Sequence, residues 1–392
     1  MEKNINKIPI AIYILSFGIF AMVTSEFQIS GMVNVMASDL NVSISQIGYL
    51  VSIYAIAMAI GGPLLTVIFL KKNPKTVLII LFILFIIGES LGAISYSYSL
   101  LVFARLITGA VSGAFFGTAI AICVQVVNER NRGWATSIVL AGIMIGTVIG
   151  LPLANVIGDH YGWRESFWLT ASLAFIGMIL SIIFIPKISQ VGSLHIREEL
   201  IAFKNPKLWW VFSTSFLIIG GTFAAFTYFT PILKNLSGFS NSSITILLFI
   251  YGIATMVGNT IVGKIADKYT IQVLSVGLLL LFIFMIIFVF YNNNQILTTI
   301  ALIGIGLVGV TLNPAMVTRV MRTANGRPLV NTVHTSVITL GTMCGSLLGG
   351  LFINSSLGLV APLWIGAIMA LLGFLTLIPD LKQLKLFYTA EA

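Results

Sequence analysis

Charge is what this sequence has least of. Only 8% of its 392 residues are Asp, Glu, Lys or Arg, while 58% are hydrophobic and the mean hydropathy is +1.05. A soluble chain carries roughly 25% charged residues to cover its cores. The missing polar surface excludes a soluble globular domain and leaves lipid as the solvent. Cysteine is almost absent too. Cys123 and Cys344 fall far apart within apolar runs, with no metal spacing and no disulfide framework. The three histidines, His160, His195 and His334, are equally scattered. No zinc site and no cluster of nucleophile, base and metal ligand can be assembled from them, which argues against an enzyme.

What is present is a succession of long apolar runs. A helix needs about 20 apolar residues to span the hydrocarbon core, and twelve runs meet that requirement: 9–33, 46–70, 76–97, 99–127, 134–158, 166–186, 208–234, 243–265, 271–291, 296–318, 331–356 and 360–380. The fold expected is an all-α membrane protein of two pseudo-symmetric six-helix bundles, 1–186 and 208–392. A linker, 187–207, joins them and holds the densest charge: Lys187, Arg197, Glu198, Glu199, Lys204 and Lys207. Leu194, Ile196, Leu200, Ile201 and Phe203 in that linker have the makings of a short interfacial amphipathic helix, and a solvated connector fits equally well. The first run is too long for a signal-peptide core, so it reads as a retained span.

Basic residues set the orientation. With the N-terminus inside, 18 of the 21 Lys and Arg residues fall on the cytoplasmic side, leaving Arg164 and Lys234 outside and Arg105 within the fourth span. Both termini then face the cytoplasm. The net charge of +9 lies in short loops against anionic headgroups, so a nucleic-acid partner is not implied. One motif misleads. Gly304-Ile-Gly306-Leu-Val-Gly309 matches the dinucleotide-binding pattern, but it lies inside an apolar span without a preceding strand or a following acidic residue.

The two halves repeat each other. Span five reads Gly142-x-x-x-Gly146-x-x-x-Gly150-x-Pro152, and its counterpart, span eleven, reads Gly341-x-x-x-Gly345-x-x-x-Gly349. A spacing of four puts the glycines on one face, where a neighbouring backbone can approach closely, and Pro152 adds a kink. A simple helix seam would explain either ladder; their matched placement favours the interface along which the halves rock.

With these features the chain resembles the major facilitator superfamily, in its twelve-span branch of drug and sugar exporters that work by proton antiport. The likeness covers nearly the whole chain. The stretch from Gly142 through Pro152 to Gly162-Trp163-Arg164-x-x-Phe167 is similar to the fifth-helix signature of antiporters and the outer turn after it. Arg105-x-x-x-Gly109-x-x-x-Gly113 resembles the fourth-helix motif whose arginine the family ties to proton coupling, and Thr24-Ser25-Glu26-Phe27 with Gly31 resembles the first helix of arabinose-efflux-like exporters. Between spans two and three the family's aspartate is missing, since Gly62-Pro63-Leu64 leads directly to Lys71-Lys72. The second-half copy, Gly263-Lys264-Ile265-Ala266-Asp267-Lys268, is better kept. The resemblance implies that Gly263, Asp267 and Lys268 belong to an inner-gate loop.

Ionisable residues within spans are costly and are read as functional. There are three: Glu26, Glu89 and Arg105. At about 1.5 Å per residue, Glu89 lies roughly 20 Å from the cytoplasmic edge and Arg105 about 9 Å from the outer edge of a ~30 Å core, so their depths match. Glu89 and Arg105 are expected either to neutralise each other, leaving Glu26 alone to titrate, or to form one polar layer with Glu26 that couples transport to protons. In the family fold spans one, four, seven and ten line the central cavity, which favours Glu26 with Arg105 for coupling. Gln28, Asn34, Gln125, Phe226, Tyr228 and Asn313 are the candidates for a substrate cavity, and Asn313-Pro314 is expected to break span ten. The function expected is proton-coupled efflux of small organic compounds such as drugs or sugars, by alternating access, in a bacterial inner membrane. A facilitator or proton symporter for a sugar-like or nucleobase-like solute is the alternative. The partners implied are lipid, protons and the solute; no cofactor or metal is called for, and no feature demands an oligomer.

Overall fold

A computed structural model describes residues 8–69, 72–128, 132–186, 201–324 and 328–381. The linker segment 187–200, with the start of its expected amphipathic helix, lies outside the described residues, as do Lys71, Arg130, the basic tail and the side chain of Asp267. Among the described residues, twelve helices are long and apolar enough to cross a membrane. They are α1 (Ile10–Asp39), α2 (Ile44–Ile68), α3 (Pro74–Ala93), α4 (Tyr98–Val126), α5 (Ala135–His160), α6 (Trp163–Phe184), α7 (Pro206–Phe226), α8 (Asn241–Ala266), α9 (Lys268–Phe290), α10 (Gln295–Thr323), α11 (Val333–Ile353) and α12 (Gly358–Leu381). Their outward faces keep large apolar side chains exposed, among them Val67, Ile183 and Ile296. Such faces fit hydrocarbon and would be costly in water.

Prolines and small polar residues decide where helices start and break. Asn73 and Asn205 cap α3 and α7 by accepting from the backbone N–H two residues on, each with Pro in the first turn, where its missing N–H costs nothing. Inside helices proline acts differently, because it leaves the carbonyl four residues earlier without a donor and crowds it. In α5 the turn Gly146–Gly150, just before Pro152, widens into a π-helix. Span ten breaks as expected: α10 is interrupted at Gly309 (φ −81, ψ −106), runs through a 3₁₀ turn over Val310–Leu312, and resumes at Asn313-Pro314. Span seven was expected to run to residue 234, but α7 ends at Phe226. A turn at Thr227 and Tyr228 leads into a separate short helix, Phe229–Asn235, whose Pro231 could not have donated to the Thr227 carbonyl. Helices α8 and α9 follow each other through a kink at Tyr269 (φ −123, ψ 39).

The chain forms two compact units, residues 1–40 with 56–192, and residues 41–55 with 193–392. The first half of α2, which the sequence places in the N-terminal bundle, therefore groups with the second unit. In the first unit α1 packs against α4, α5 and α6, and α3 packs against α4 and α6. In the second unit α7 packs against α11 and α12, and the α8–α9 helices pack against α10 and α12.

The glycine ladders lie inside these units, which corrects the expectation that they form the boundary between the halves. A Cβ on Gly142 would strike the Ser16 carbonyl, one on Gly146 would meet Val23, and one on Gly150 would meet Thr24, all on α1. In the second unit a Cβ on Gly341 would lie 2.7 Å from the Phe216 carbonyl oxygen, one on Gly345 would strike Gly220, and one on Gly349 would lie 2.9 Å from the Ala224 carbonyl oxygen, all on α7. Each ladder is thus the seam that seats the fifth helix of its half on the first. A third close crossing joins α2 to α4, where a Cβ on Gly62 would lie 2.9 Å from the Gly113 backbone. Without side chains to hold them apart, backbones gain contact along the whole crossing.

Candidate functional site

The first unit encloses a polar cluster built on α1, α3, α4 and α6. Arg105, on α4, is 0% exposed, and so is Glu89 on α3. Neither charge is stable in such a setting without polar partners. Arg105 Nη1 donates to the Ser25 carbonyl at 2.9 Å and to Ser25 Oγ at 3.2 Å, and its Nη2 donates to the Glu26 carbonyl at 3.3 Å. The Ser25 hydroxyl in turn donates to Glu89 Oε1 at 2.5 Å. The second carboxylate oxygen, Oε2, accepts from Gln28 Nε2 at 3.2 Å. Gln28 Oε1 accepts from the hydroxyls of Ser166 (3.3 Å) and Thr170 (3.0 Å) on α6. One serine therefore stands between guanidinium and carboxylate, and one glutamine ties the carboxylate to α6.

Helical spacing accounts for the arrangement. Ser25 and Gln28 are three residues apart on α1, and Ser166 and Thr170 four apart on α6, so each pair shares a face. Glu26 points elsewhere. Its carbonyl joins the cluster, but the residue is only half-buried, unlike Glu89. Of the three charged residues expected to share a layer, the structure links Glu89 and Arg105 through Ser25, while Glu26 joins through its carbonyl and keeps some residue surface exposed. Ser25 itself was quoted only as part of a motif. A hydroxyl two helices away from either charge gives no periodic or charge signal of its own.

The expected cavity residues divide. Gln28, Phe226 and Tyr228 are buried and engaged. Gln28 belongs to the cluster just described. Phe226 packs among Phe223, Phe229 and Tyr251, with ring centroids 5.3 to 5.8 Å apart, and Tyr228 donates its hydroxyl to the Ser346 carbonyl at 2.9 Å. In this structure the aromatic face of α7 is core packing of the second unit, not an open wall. Asn34 and Gln125 are half-buried and Asn313 is exposed. Gln125 returns its amide to the Ala121 carbonyl at 3.0 Å, whereas Asn34 Nδ2 is enclosed without a hydrogen-bond partner among the described residues. The segment expected to be a gate loop is helical instead: Gly263 lies in the last turns of α8, with open space around an added Cβ, and Lys268 opens α9 and lies over the Tyr269 ring at 5.0 Å.

Two further charged clusters escaped the sequence reading. In the second unit Arg319, counted among loop cations, is 5% exposed, donates to Asp380 at 2.7 Å, and donates to Thr214 at 2.7 Å. It ties α10 to α7 and α12. In the first unit Asp39 accepts from Arg164 at 2.8 Å and from the Trp163 indole at 3.0 Å. Arg164 also reaches the Ser95 carbonyl at 2.9 Å, which fastens the end of α1 to the α3–α4 turn and the start of α6. Among the described residues no group of three His, Cys, Asp or Glu side chains is placed to hold a metal ion.

Twelve helices able to span a membrane, with charge gathered inside a helical bundle, define a multi-pass membrane protein. The chain belongs to the major facilitator superfamily. The sequence profile of the Major Facilitator Superfamily matches it over residues 15–329 and 236–387. It is 30% identical over 370 residues to the inner membrane transport protein YdhP of Escherichia coli strain K12, covering 94% of this chain and 95% of that protein. It is 27% identical over 377 residues to a chloramphenicol resistance protein of Streptomyces lividans, covering 95% and 96%, and 25% identical over 345 residues to the putative transporter AraJ of E. coli K12, covering 88% of each. Among solved structures it shares its fold with a bacterial homologue of the human lysosomal transporter Spinster, in an inward-facing, occupied conformation. The TM-score is 0.76 at 13% identity, over 95% of this chain and 96% of that one.

Proposed function

We propose that this transporter is a proton-coupled exporter of small organic compounds, drug-like or sugar-like, in the bacterial inner membrane with both termini in the cytoplasm. The observation that carries the reading is the contrast between two carboxylates beside one arginine. Glu89 is sealed within the cluster, while Glu26, whose own carbonyl holds Arg105, is only half-buried as a residue. A carboxylate next to a buried fixed cation, on a residue that is not sealed from its surroundings, can take up a proton and release it when the separation or solvation of the pair changes. Relatives named for inner-membrane transport and for chloramphenicol resistance support export and its location.

In this mechanism Glu26 binds a proton from the outer side and gives it up inside as the two six-helix halves rock, and solute moves the opposite way. One charge crossing 100 mV contributes about 2.3 kcal/mol, enough for roughly a fifty-fold solute gradient per proton. The proton gradient is the only energy source invoked, and no cofactor enters. Asn34, with its unmatched donor, lies about 12 Å along α1 from Glu26 and is the first candidate for solute binding, with Gln125 and Asn313 after it. The Gly263–Lys268 segment, at the junction of α8 and α9, serves as the inner gate. The test is substrate-induced proton movement in inverted vesicles across drugs, pentoses and purines, in wild type and Glu26→Gln. The reading expects movement with at least one class in wild type and none in the variant. Solute flux without proton movement in wild type would replace it with a facilitator.

A further inference from the structure

Hydrogen-bond polarity in the cluster distinguishes the two carboxylates. Arginine is charged at all working pH values and offers donors only. Ser25 Oγ accepts from Arg105 Nη1, so the serine's single hydrogen turns away from the guanidinium and toward Glu89 Oε1, the acceptor on its other side. Glu89 Oε2 meets the amide nitrogen of Gln28, whose Oε1 accepts from the Ser166 hydroxyl and shares the Thr170 hydroxyl with the Ser166 carbonyl. Both carboxylate oxygens therefore face donors, which is the pattern of an ionised group. Protonating Oε2 would require the Gln28 amide to turn end over end and the Ser166 hydroxyl to redirect.

Access and charge balance point the same way. A wholly buried guanidinium needs a counter-charge that stays in place, and Glu89 has no exposed surface through which water could deliver a proton. The remaining charged or titratable groups on the helices packed around the cluster include Glu26 and Asp39 on α1, Lys75 on α3, Asp159 and His160 at the end of α5, and Arg164 and Glu165 at the start of α6. Asp39 and Arg164 pair with each other, and Lys75 donates to the Ile182 carbonyl at the far end of α3. Of these, Glu26 adjoins the cluster through its own carbonyl, which accepts from Arg105, and unlike Glu89 it is not wholly buried as a residue.

We propose that Ser25 and Gln28 are positioning residues that hold Glu89 as the permanent counter-charge of Arg105, so that Glu26 alone exchanges protons. This rests on the export reading for its purpose, but not for its test. The test is pH-difference infrared spectroscopy of the full-length protein in lipid, with no substrate, following carboxyl groups that protonate. Wild type should show one cluster band, lost in Glu26→Gln and kept in Glu89→Gln. Ser25→Ala should add a second band, which disappears in the Ser25→Ala, Glu89→Gln double variant, and Ser25→Thr, which restores the hydroxyl, should return the spectrum to one band. A merely structural role for Ser25 would not produce that sequence. Loss of the wild-type band in Glu89→Gln, or no second band in Ser25→Ala, overturns the assignment. A Glu26 band in a protein that moves solute without protons would defeat antiport and leave the charge assignment intact.

Discussion

Replacing Gly345 with alanine adds one methyl group at the tightest point of the α7–α11 seam. Its position lies in steric overlap with the Gly220 carbonyl oxygen and only 2.8 and 2.9 Å from that residue's carbonyl carbon and Cα. Carbon contacts settle at about 3.5 Å or more, so the two backbones must part by about 0.6 Å or more. The obstacle is main chain, which has no rotamer to change, and the strain spreads along a ladder that also seats Gly341 and Gly349. Overpacking of this kind costs about 1–3 kcal/mol. At about 2 kcal/mol, a unit of this size should lose roughly 4–8 °C of melting temperature. Gly117 on α4 is the internal control. No atom lies within 4 Å of its added methyl, so Gly117→Ala should be neutral or gain up to about 1 kcal/mol from helix propensity. Thermal melting of the purified protein in one detergent compares the pair directly. A Gly345→Ala protein as stable as wild type, alongside a destabilised Gly117→Ala, would refute the seam.

Three further outcomes are expected. Asp380→Asn removes the counter-charge of a nearly buried Arg319, which should cost about 3 kcal/mol or somewhat less given the partial exposure of Asp380; the Arg319→Met, Asp380→Leu pair should melt close to wild type. Tyr228→Phe deletes one hydrogen bond to the Ser346 carbonyl and should cost about 1 kcal/mol in melting while leaving transport in place, as packing rather than solute contact requires. Arg105→Lys cannot reach Ser25 and the Glu26 carbonyl together through a planar fork; the protein should fold by size-exclusion chromatography and lose proton-driven transport by about tenfold or more.

Much of the fold is legible in the sequence because hydrocarbon imposes one requirement on every span. The twelve runs, the break at Asn313-Pro314 and the weak point before Pro152 all follow from length and backbone hydrogen bonding. The end of α7 at Phe226 shows the limit, since an apolar run continues through Pro231 although the helix does not. Spacing told which residues share a face, but not which helix that face meets. The ladders Gly142–Gly150 and Gly341–Gly349 are thus seams within each unit. Charge at the right depth singled out Glu26, Glu89 and Arg105, while the residues that organise them, Ser25 and Thr170, carry no such signal. Arg319 read as a loop cation because Asp380, its partner, lies 61 residues on at the far end of the last span.

The central claim is that Glu26 couples solute movement to protons. It is tested most directly by comparing two transport modes in proteoliposomes, using a solute found to be transported by the wild type. Solute counterflow needs the carrier to reorient but no net proton transfer; accumulation driven by an imposed pH gradient needs both. Glu26→Gln should retain counterflow and lose gradient-driven accumulation. Accumulation at the wild-type level in Glu26→Gln would contradict the account.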